Sequence, residues 1–306
     1  MAMIRECIRE GFKLANKNVQ LVIISTVVSI INLISFFVIL GLPVLAALVY
    51  LGFDLAQARD MLPSILKDPS ELIANYLGVI FLMVTSFVLY LAFTIVLYVY
   101  ALGGTLGVLK DSAVNIQYEF SLSSFFEEAK INLSRLMGLI SLVMLGIIVL
   151  FIIFIISGGI VAGVINAVTK SKSMLEMFFS SFALLSIVVF SIVAVFAGLV
   201  FGIYALVVLV TDGKGVMDSI SRTYNFLKKT PEALLYYLIM IVVFIAANAV
   251  FYGIQIAVSV IPLFMPLVYI INTVFQSYLA IVVWSFLIVY YVKKSDYHAR
   301  HAAYEI

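Results

Sequence analysis

TDGKGVMDSISRTYNFLKKTPEALLYYL, residues 211–238, decides how this chain is read. It carries seven charged side chains between two runs that have none, Met177–Thr211 and Ala233–Val292. About 20 apolar residues are enough to carry a helix across a bilayer. A soluble-looking helix between runs of that length is therefore a connection at the membrane surface, and the chain reads as one that crosses and recrosses the bilayer.

The rest of the sequence follows the same plan. Further uncharged runs cover Asn18–Phe53, Leu72–Leu109 and Leu136–Thr169. The last run, Ala233–Val292, is long enough for two crossings, and Pro262 and Pro266 break it. Six spans result, near 20–50, 75–107, 136–166, 179–210, 234–259 and 267–292, with a bend allowed at Pro43 in the first. Over the whole chain 65% of residues are hydrophobic and 11% charged, a balance that belongs to the membrane class. A net charge of +2 is too small to point to nucleic acid. With Cys7 the only cysteine, no intrachain disulfide is possible. No cleavable signal is visible, so the mature chain is expected to begin near Met1.

Basic residues set the orientation. Arg5, Arg9, Lys13 and Lys17 precede the first span; Lys110, Lys130 and Arg135 lie between the second and third. Lys214, Arg222, Lys228 and Lys229 lie between the fourth and fifth, and Lys293, Lys294 and Arg300 follow the sixth. One side thus holds 14 of the 18 basic residues, leaving Arg59, Lys67, Lys170 and Lys172 for the other. The expectation is a cell-membrane protein with both termini in the cytoplasm.

Amphipathic segments recur on the basic side. In the opening stretch Val216, Met217, Ile220, Tyr224 and Leu227 fall on one helical face, opposite Asp218, Ser221, Arg222, Asn225 and Lys228. Thr211 or Asp212 would cap its start, and Pro231 suits the first turn of the span that follows. Before the first span, Ile4, Cys7, Ile8, Phe12 and Ala15 make a similar stripe. Before the third, Phe125, Phe126, Ala129, Leu133 and Leu136 do the same, with Glu127, Glu128 and Lys130 opposite and a capping-box spacing from Ser124 to Glu127. The ends FKLANKNVQLVIIS, AKINLSRLMGLISL and YNFLKKTPEALLYYL lie over one another. The fold expected is an all-α polytopic integral membrane protein of six transmembrane helices with three cytoplasmic interfacial helices. It is a single membrane domain in three helix-plus-hairpin units, 1–110, 111–210 and 211–292, followed by a short cytoplasmic tail, 293–306.

Residues 205–240, ALVVLVTDGKGVMDSISRTYNFLKKTPEALLYYLIM, resemble a stretch found in six-span proteins related to the membrane domain of glycerophosphoryl diester phosphodiesterases. The matching features are Asp212, Gly213, Gly215, Ser219, Ser221 and the pair Lys228–Lys229. The resemblance implies a six-span membrane part separate from the soluble barrel that carries that family's catalytic acids and metal ligands. This chain has no room for such a barrel, so no catalytic residue carries over.

Chemistry within the spans is sparse. As drawn they contain no charged residue, which argues against proton-coupled pumping and intramembrane proteolysis. No phosphate loop, HExxH or GxSxG is present, and the reading is of a protein that is not an enzyme and needs no cofactor. His298 and His301 near Asp296 belong to a solvated tail, not a metal site, and Cys7 fills an apolar face. Uncharged polar residues stand out instead: Asn248 and Gln255 in the fifth span, Tyr269, Asn272 and Gln276 in the sixth, Asn32 in the first, and Thr85, Ser86 and Thr94 in the second. Interhelical hydrogen bonding explains such residues most simply. GxxxG spacings at Gly103–Gly107, Gly159–Gly163 and Gly198–Gly202 allow close helix contact.

Two functions remain open. In the first, the protein organises or binds lipid or a protein partner, with Arg5, Arg9, Lys13, Lys17, Lys130, Arg135, Arg222, Lys228 and Lys229 meeting anionic headgroups. In the second, it carries an uncharged or amphipathic solute through a polar cavity at Asn248, Gln255, Asn272 and Gln276. A second copy of the chain is a further candidate partner.

Overall fold

The computed structural model describes residues 2–50, 69–115, 117–169, 174–259 and 265–295. Among them it is all-helical. Helix α1 (Ala2–Lys17) leads into the first span, which is built from α2 (Gln20–Ser35), a π-helical turn (Phe36–Gly41) and α3 (Leu42–Tyr50). The second, third and fourth spans lie in α4 (Pro69–Val114), α5 (Leu122–Thr169) and α6 (Met174–Asp212). Helix α7 (Val216–Lys229) precedes the fifth and sixth spans, α8 (Glu232–Ser259) and α9 (Met265–Lys294). Among the described residues there are therefore six helices long and apolar enough to cross a membrane. Among the described residues no charge falls within the apolar stretches 20–47, 77–109, 136–160, 181–211, 233–258 and 267–292. The connections bearing Arg59, Lys67, Lys170 and Lys172, and the tail bearing His298 and His301, lie outside the described residues.

The π turn comes just before Pro43. Proline cannot donate to the carbonyl four residues back and crowds it, and widening the helix by one residue relieves the clash. The Leu42 N–H accordingly reaches the Phe37 carbonyl, five residues back.

Two of the three expected amphipathic segments are separate helices, α1 and α7. The segment before the third span is not: it forms the first turns of the unbroken 48-residue α5. No glycine or proline interrupts residues 122–137, so the backbone has no reason to break there. The cap also lies three residues earlier than the Ser124 spacing suggests. The Ser124 N–H donates to Ser121 Oγ at 3.1 Å. At 1.5 Å per residue α5 is about 72 Å long, over twice the roughly 30 Å of hydrocarbon, so it must project from the bilayer.

The core lies at one end of the bundle, where the basic residues are. It joins α1, the start of α5, α7, the start of α8 and the ends of α4, α6 and α9. Tyr204, Tyr236, Tyr290, Tyr291 and Phe286 are its largest buried side chains. Tyr236 and Tyr290 stack at 4.2 Å, and the Tyr236 hydroxyl donates to the Phe286 carbonyl. Toward the other end the spans expose large apolar side chains such as Phe81, Phe151, Phe190 and Ile192. Lipid tails solvate these as well as protein would, so no burial is required there.

Helix α1 packs along the end of α9. Cys7 and Ala15 are fully buried, and Phe12 meets Phe286 edge-on at 4.8 Å. Lys293 bonds Glu10 at 2.7 Å and Glu6 at 3.0 Å, so the N-terminal helix and the end of the last span share one side of the bundle. Asn18 donates to the Leu14 carbonyl and to Ser112 Oγ, which ties α1 to α4. Of the GxxxG pairs, Gly103–Gly107 is used within the chain: Asn132 and Leu136 pack on Gly103, and Glu128 packs on Gly107. Glu128 therefore faces inward, not outward as its place in the pattern suggests; there it bonds Asn132 and lies 3.8 Å from Lys110. Among the described residues, Gly159, Gly163 and Gly198 have no neighbour within 4 Å of a side chain's first carbon, and Gly202 has Val143 at 3.8 Å.

The packing of α1 sets two expectations. A methyl group on Gly11 would collide with Phe286, so Gly11→Ala should destabilise the detergent-solubilised protein by about 1–3 kcal/mol. Gly146→Ala, on an open helix face, should not lower the unfolding temperature. The hydrogen bond from Lys293 and its charge hold Glu6 below the usual carboxylate range. A depressed carboxylate stabilises docking at neutral pH and loses that contribution as acid protonates it. The difference in unfolding temperature between wild type and Lys293→Met should thus narrow as pH falls from about 7 to about 4.

Candidate functional site

Among the described residues, polar groups gather in a pocket at the basic end and in a groove between spans. The pocket depends on how α7 is seated. Gly213, at φ +64°, closes the end of α6 in the left-handed conformation that glycine adopts without strain, and its N–H reaches the Leu209 carbonyl. The chain then turns into α7, whose start is at Gly215 with no side-chain cap. Asp212 does not cap α7 as its position suggests. It accepts instead from Arg222 at 2.7 Å and from the Tyr291 hydroxyl at 3.1 Å. Its carboxylate is 3% exposed, so this pair fastens α7 to α6 and α9 at a site nearly closed to water.

The inner face of α7 is rotated from the one its apolar residues suggest. Ser219, Thr223 and Phe226 are buried, with Val216, Ile220 and Leu227 beside them, while Met217 and Tyr224 are exposed. Ser219 and Thr223 return their hydroxyls to helix carbonyls, which lets small polar residues sit in the core. Phe226 packs against Tyr204, Tyr290 and Tyr291. Lys228 lies over its own helix's Tyr224 ring.

This seating opens a pocket of about 330 Å³ between the ends of α7 and α9. Among the described residues three cations line it: Arg222, Lys229 and Lys294. Asn225, Thr230, Tyr291 and Ser295 add hydrogen-bonding groups. Asp212 positions Arg222, and Glu232 holds Lys294 at 3.1 Å. Of the basic residues singled out from sequence, the pocket brings together Arg222 and Lys229. Lys294, whose place in the sequence marks only orientation, completes it. Arg5, Arg9, Lys13 and Lys17 lie along α1. Lys130 and Arg135 belong to α5, Arg135 reaching toward the Gly213 turn.

The groove, of about 430 Å³, lies between the first, second and sixth spans. Ser25, Ser29 and Asn32 line it from α2, and Tyr90 and Tyr98 from α4. Helix α9 contributes Tyr269, Asn272, Thr273, Gln276 and Ser277. Thr94 donates to Asn32 Oδ1 at 2.9 Å, and Asn32 Nδ2 donates to Tyr90 at 3.3 Å. Gln276 Nε2 donates to Asn248 Oδ1 at 2.6 Å, with Asn248 anchored to the Phe244 carbonyl. The amide pair thus joins α8 to α9 behind the groove. Gln255 is half-buried on α8 and is not among the lining residues. Sequence alone missed Ser25, Ser29, Tyr98, Thr273 and Ser277. Steps of four and three, Ser25–Ser29–Asn32 on the first span and Tyr269–Thr273–Gln276 on the sixth, were the available signal, with Tyr90 and Tyr98 eight apart on the second.

No family model, curated protein or solved structure matches the chain.

Gln276→Leu removes the bond between α8 and α9. It should lower stability by about 0.6 kcal/mol, the usual size of such bonds in membrane bundles, as read from unfolding in mixed detergent.

Proposed function

We propose that this protein is a lipid-binding, membrane-organising component of the cell membrane, with α1, α7 and the end of α9 in the cytoplasm and no catalytic role. One observation carries the reading: Arg222, Lys229 and Lys294 converge on a pocket whose remaining lining groups are hydrogen-bonding or aromatic. Such a set suits a phosphate-bearing headgroup, each basic residue near an anionic surface contributing about 1 kcal/mol. Exposed Met217 and Tyr224 lie on the outer side of α7, where side chains of this kind rest at the lipid–water boundary. The larger basic set on α1 and α5 lies at the same end and supports attraction to an anionic leaflet. The 14 basic residues that the order of spans in the sequence assigns to this side support its cytoplasmic placement. We read the chain as three helix-plus-hairpin units, and relate it to the membrane domains of glycerophosphoryl diester phosphodiesterases on the strength of residues 205–240.

The test uses full-length protein in neutral detergent and short-chain lipids, followed by native mass spectrometry. Phosphatidylglycerol should bind in preference to phosphatidylcholine. Replacing Lys229 and Lys294 with Gln should weaken that binding by roughly tenfold or more, at about 1 kcal/mol per lysine. Equal retention of the two lipids by wild type, or unchanged binding in the variant, would overturn the reading.

A further inference from the structure

The groove holds more hydrogen-bonding capacity than the bundle uses. Asn32 is paired on both its amide atoms, while Ser29 and Thr273 bond carbonyls of their own helices. Gln276 commits its amide nitrogen to Asn248. Asn272, Tyr98, Tyr269 and Ser277, by contrast, make no side-chain hydrogen bond among the described residues. Ser277 is only 5% exposed, and Asn272 is half-buried one turn from Gln276. In hydrocarbon each unmet donor or acceptor costs free energy that water would otherwise offset. Interhelical bonding therefore accounts for part of the polar lining and leaves Tyr269, Asn272 and Ser277 on the sixth span and Tyr98 on the second without side-chain partners among the described residues.

The chemistry of the lining limits the occupant. Among the described residues it contains donors and acceptors but no formal charge, so an ionic head would find no counter-charge there and would carry a desolvation penalty. Asn272 presents both amide functions, and Tyr98, Tyr269 and Ser277 present hydroxyls, a set that matches a ligand bearing hydroxyl groups. The groove is open, and Leu33 and Phe36 on its rim are exposed. At the depth of the spans, exposure means contact with lipid, so a ligand's tail can remain in the bilayer while its head enters. The volume of about 430 Å³ falls within the range of about 300–1,000 Å³ typical of small-molecule sites. The π turn begins at Phe36, whose ring meets Tyr90 edge-on at 5.5 Å. Such turns are frequent at functional sites.

We propose that the groove binds the uncharged, hydroxyl-bearing head of an amphipathic lipid of the acylglycerol class, with Asn272 as its principal hydrogen-bonding partner and Gln276 Oε1 and Ser277 beside it. The site is separate from the basic pocket and does not depend on it.

Full-length protein in detergent would be titrated with three probes, read by native mass spectrometry and checked by thermal shift: dioctanoylglycerol, dioctanoyl phosphatidylcholine and glycerol. Dioctanoylglycerol should bind; the zwitterionic lipid and the tailless polyol should bind at least about tenfold more weakly. Asn272→Leu should lose about tenfold in affinity for dioctanoylglycerol while keeping or raising the unfolding temperature, because it removes an unpartnered amide from the bilayer. Ser277→Ala should weaken binding by a smaller factor. Absence of dioctanoylglycerol binding, equal binding of glycerol or phosphatidylcholine, or wild-type affinity in Asn272→Leu would each overturn the proposal. Loss of binding in Asn272→Leu together with a marked fall in unfolding temperature would also count against it, since the amide would then be structural.

Discussion

Apolar side chains inside a bilayer gain nothing by leaving lipid for protein, so burial cannot hold the spans together there. The fold depends instead on the end where the helices emerge. Here α1, α7 and the ends of the spans enclose an aromatic core around Tyr204, Tyr236, Phe286 and Tyr290. Water is the competing solvent at this end, and the hydrophobic effect acts with its full strength. Polar fasteners surround the core: Asn18 on Ser112, Glu6 and Glu10 on Lys293, and Asp212 between Arg222 and Tyr291. Apart from Arg222, ten positions from Asp212, the partners lie at least 79 positions apart in sequence.

Away from that end, contact between spans is local and specific. Phe251 stacks on Phe275 at 4.0 Å beside the Asn248–Gln276 bond, and Thr94 meets Asn32 next to the Phe36–Tyr90 contact. Aromatic rings and amides do between these helices what apolar burial cannot. This division of labour leaves room for the groove. Three spans that meet through a few side chains, and not through a continuous apolar seam, can enclose polar surface between them.

How far the candidate sites are legible in the sequence varies residue by residue. Asn272 and Gln276 stand out because amides in an apolar run are conspicuous and their spacing places them on one face. Ser277 does not, since a lone serine hydroxyl in a helix usually bonds its own backbone, and Tyr98 does not, since tyrosine is a common residue of membrane spans near their ends. The inner face of α7 departs from its apolar pattern for a related reason. Val216, Met217, Ile220, Tyr224 and Leu227 form the more apolar stripe, but Ser219 and Thr223 are small and satisfy their own hydroxyls, so they allow the closest approach to the core. Glu128 faces inward against the pattern because Gly107 leaves space for it and Asn132 and Lys110 supply partners. Lys294 marks the side of the membrane without revealing that it shares a pocket with Arg222 and Lys229.

By itself the sequence determined the class of object, the number of spans and the gathering of basic residues at one end. Hydropathy and charge placement accumulate along the chain, so no knowledge of neighbours is needed to read them. Only the tertiary structure decided which face of each helix turns inward, that the segment before the third span continues into it, and where polar side chains meet. A mostly apolar span presents similar faces in every direction, and its rotation is set by partners such as Asn32 and Thr94, 62 positions apart, or Asn16 and Tyr278, 262 apart. Contacts across such separations leave no mark in local periodicity.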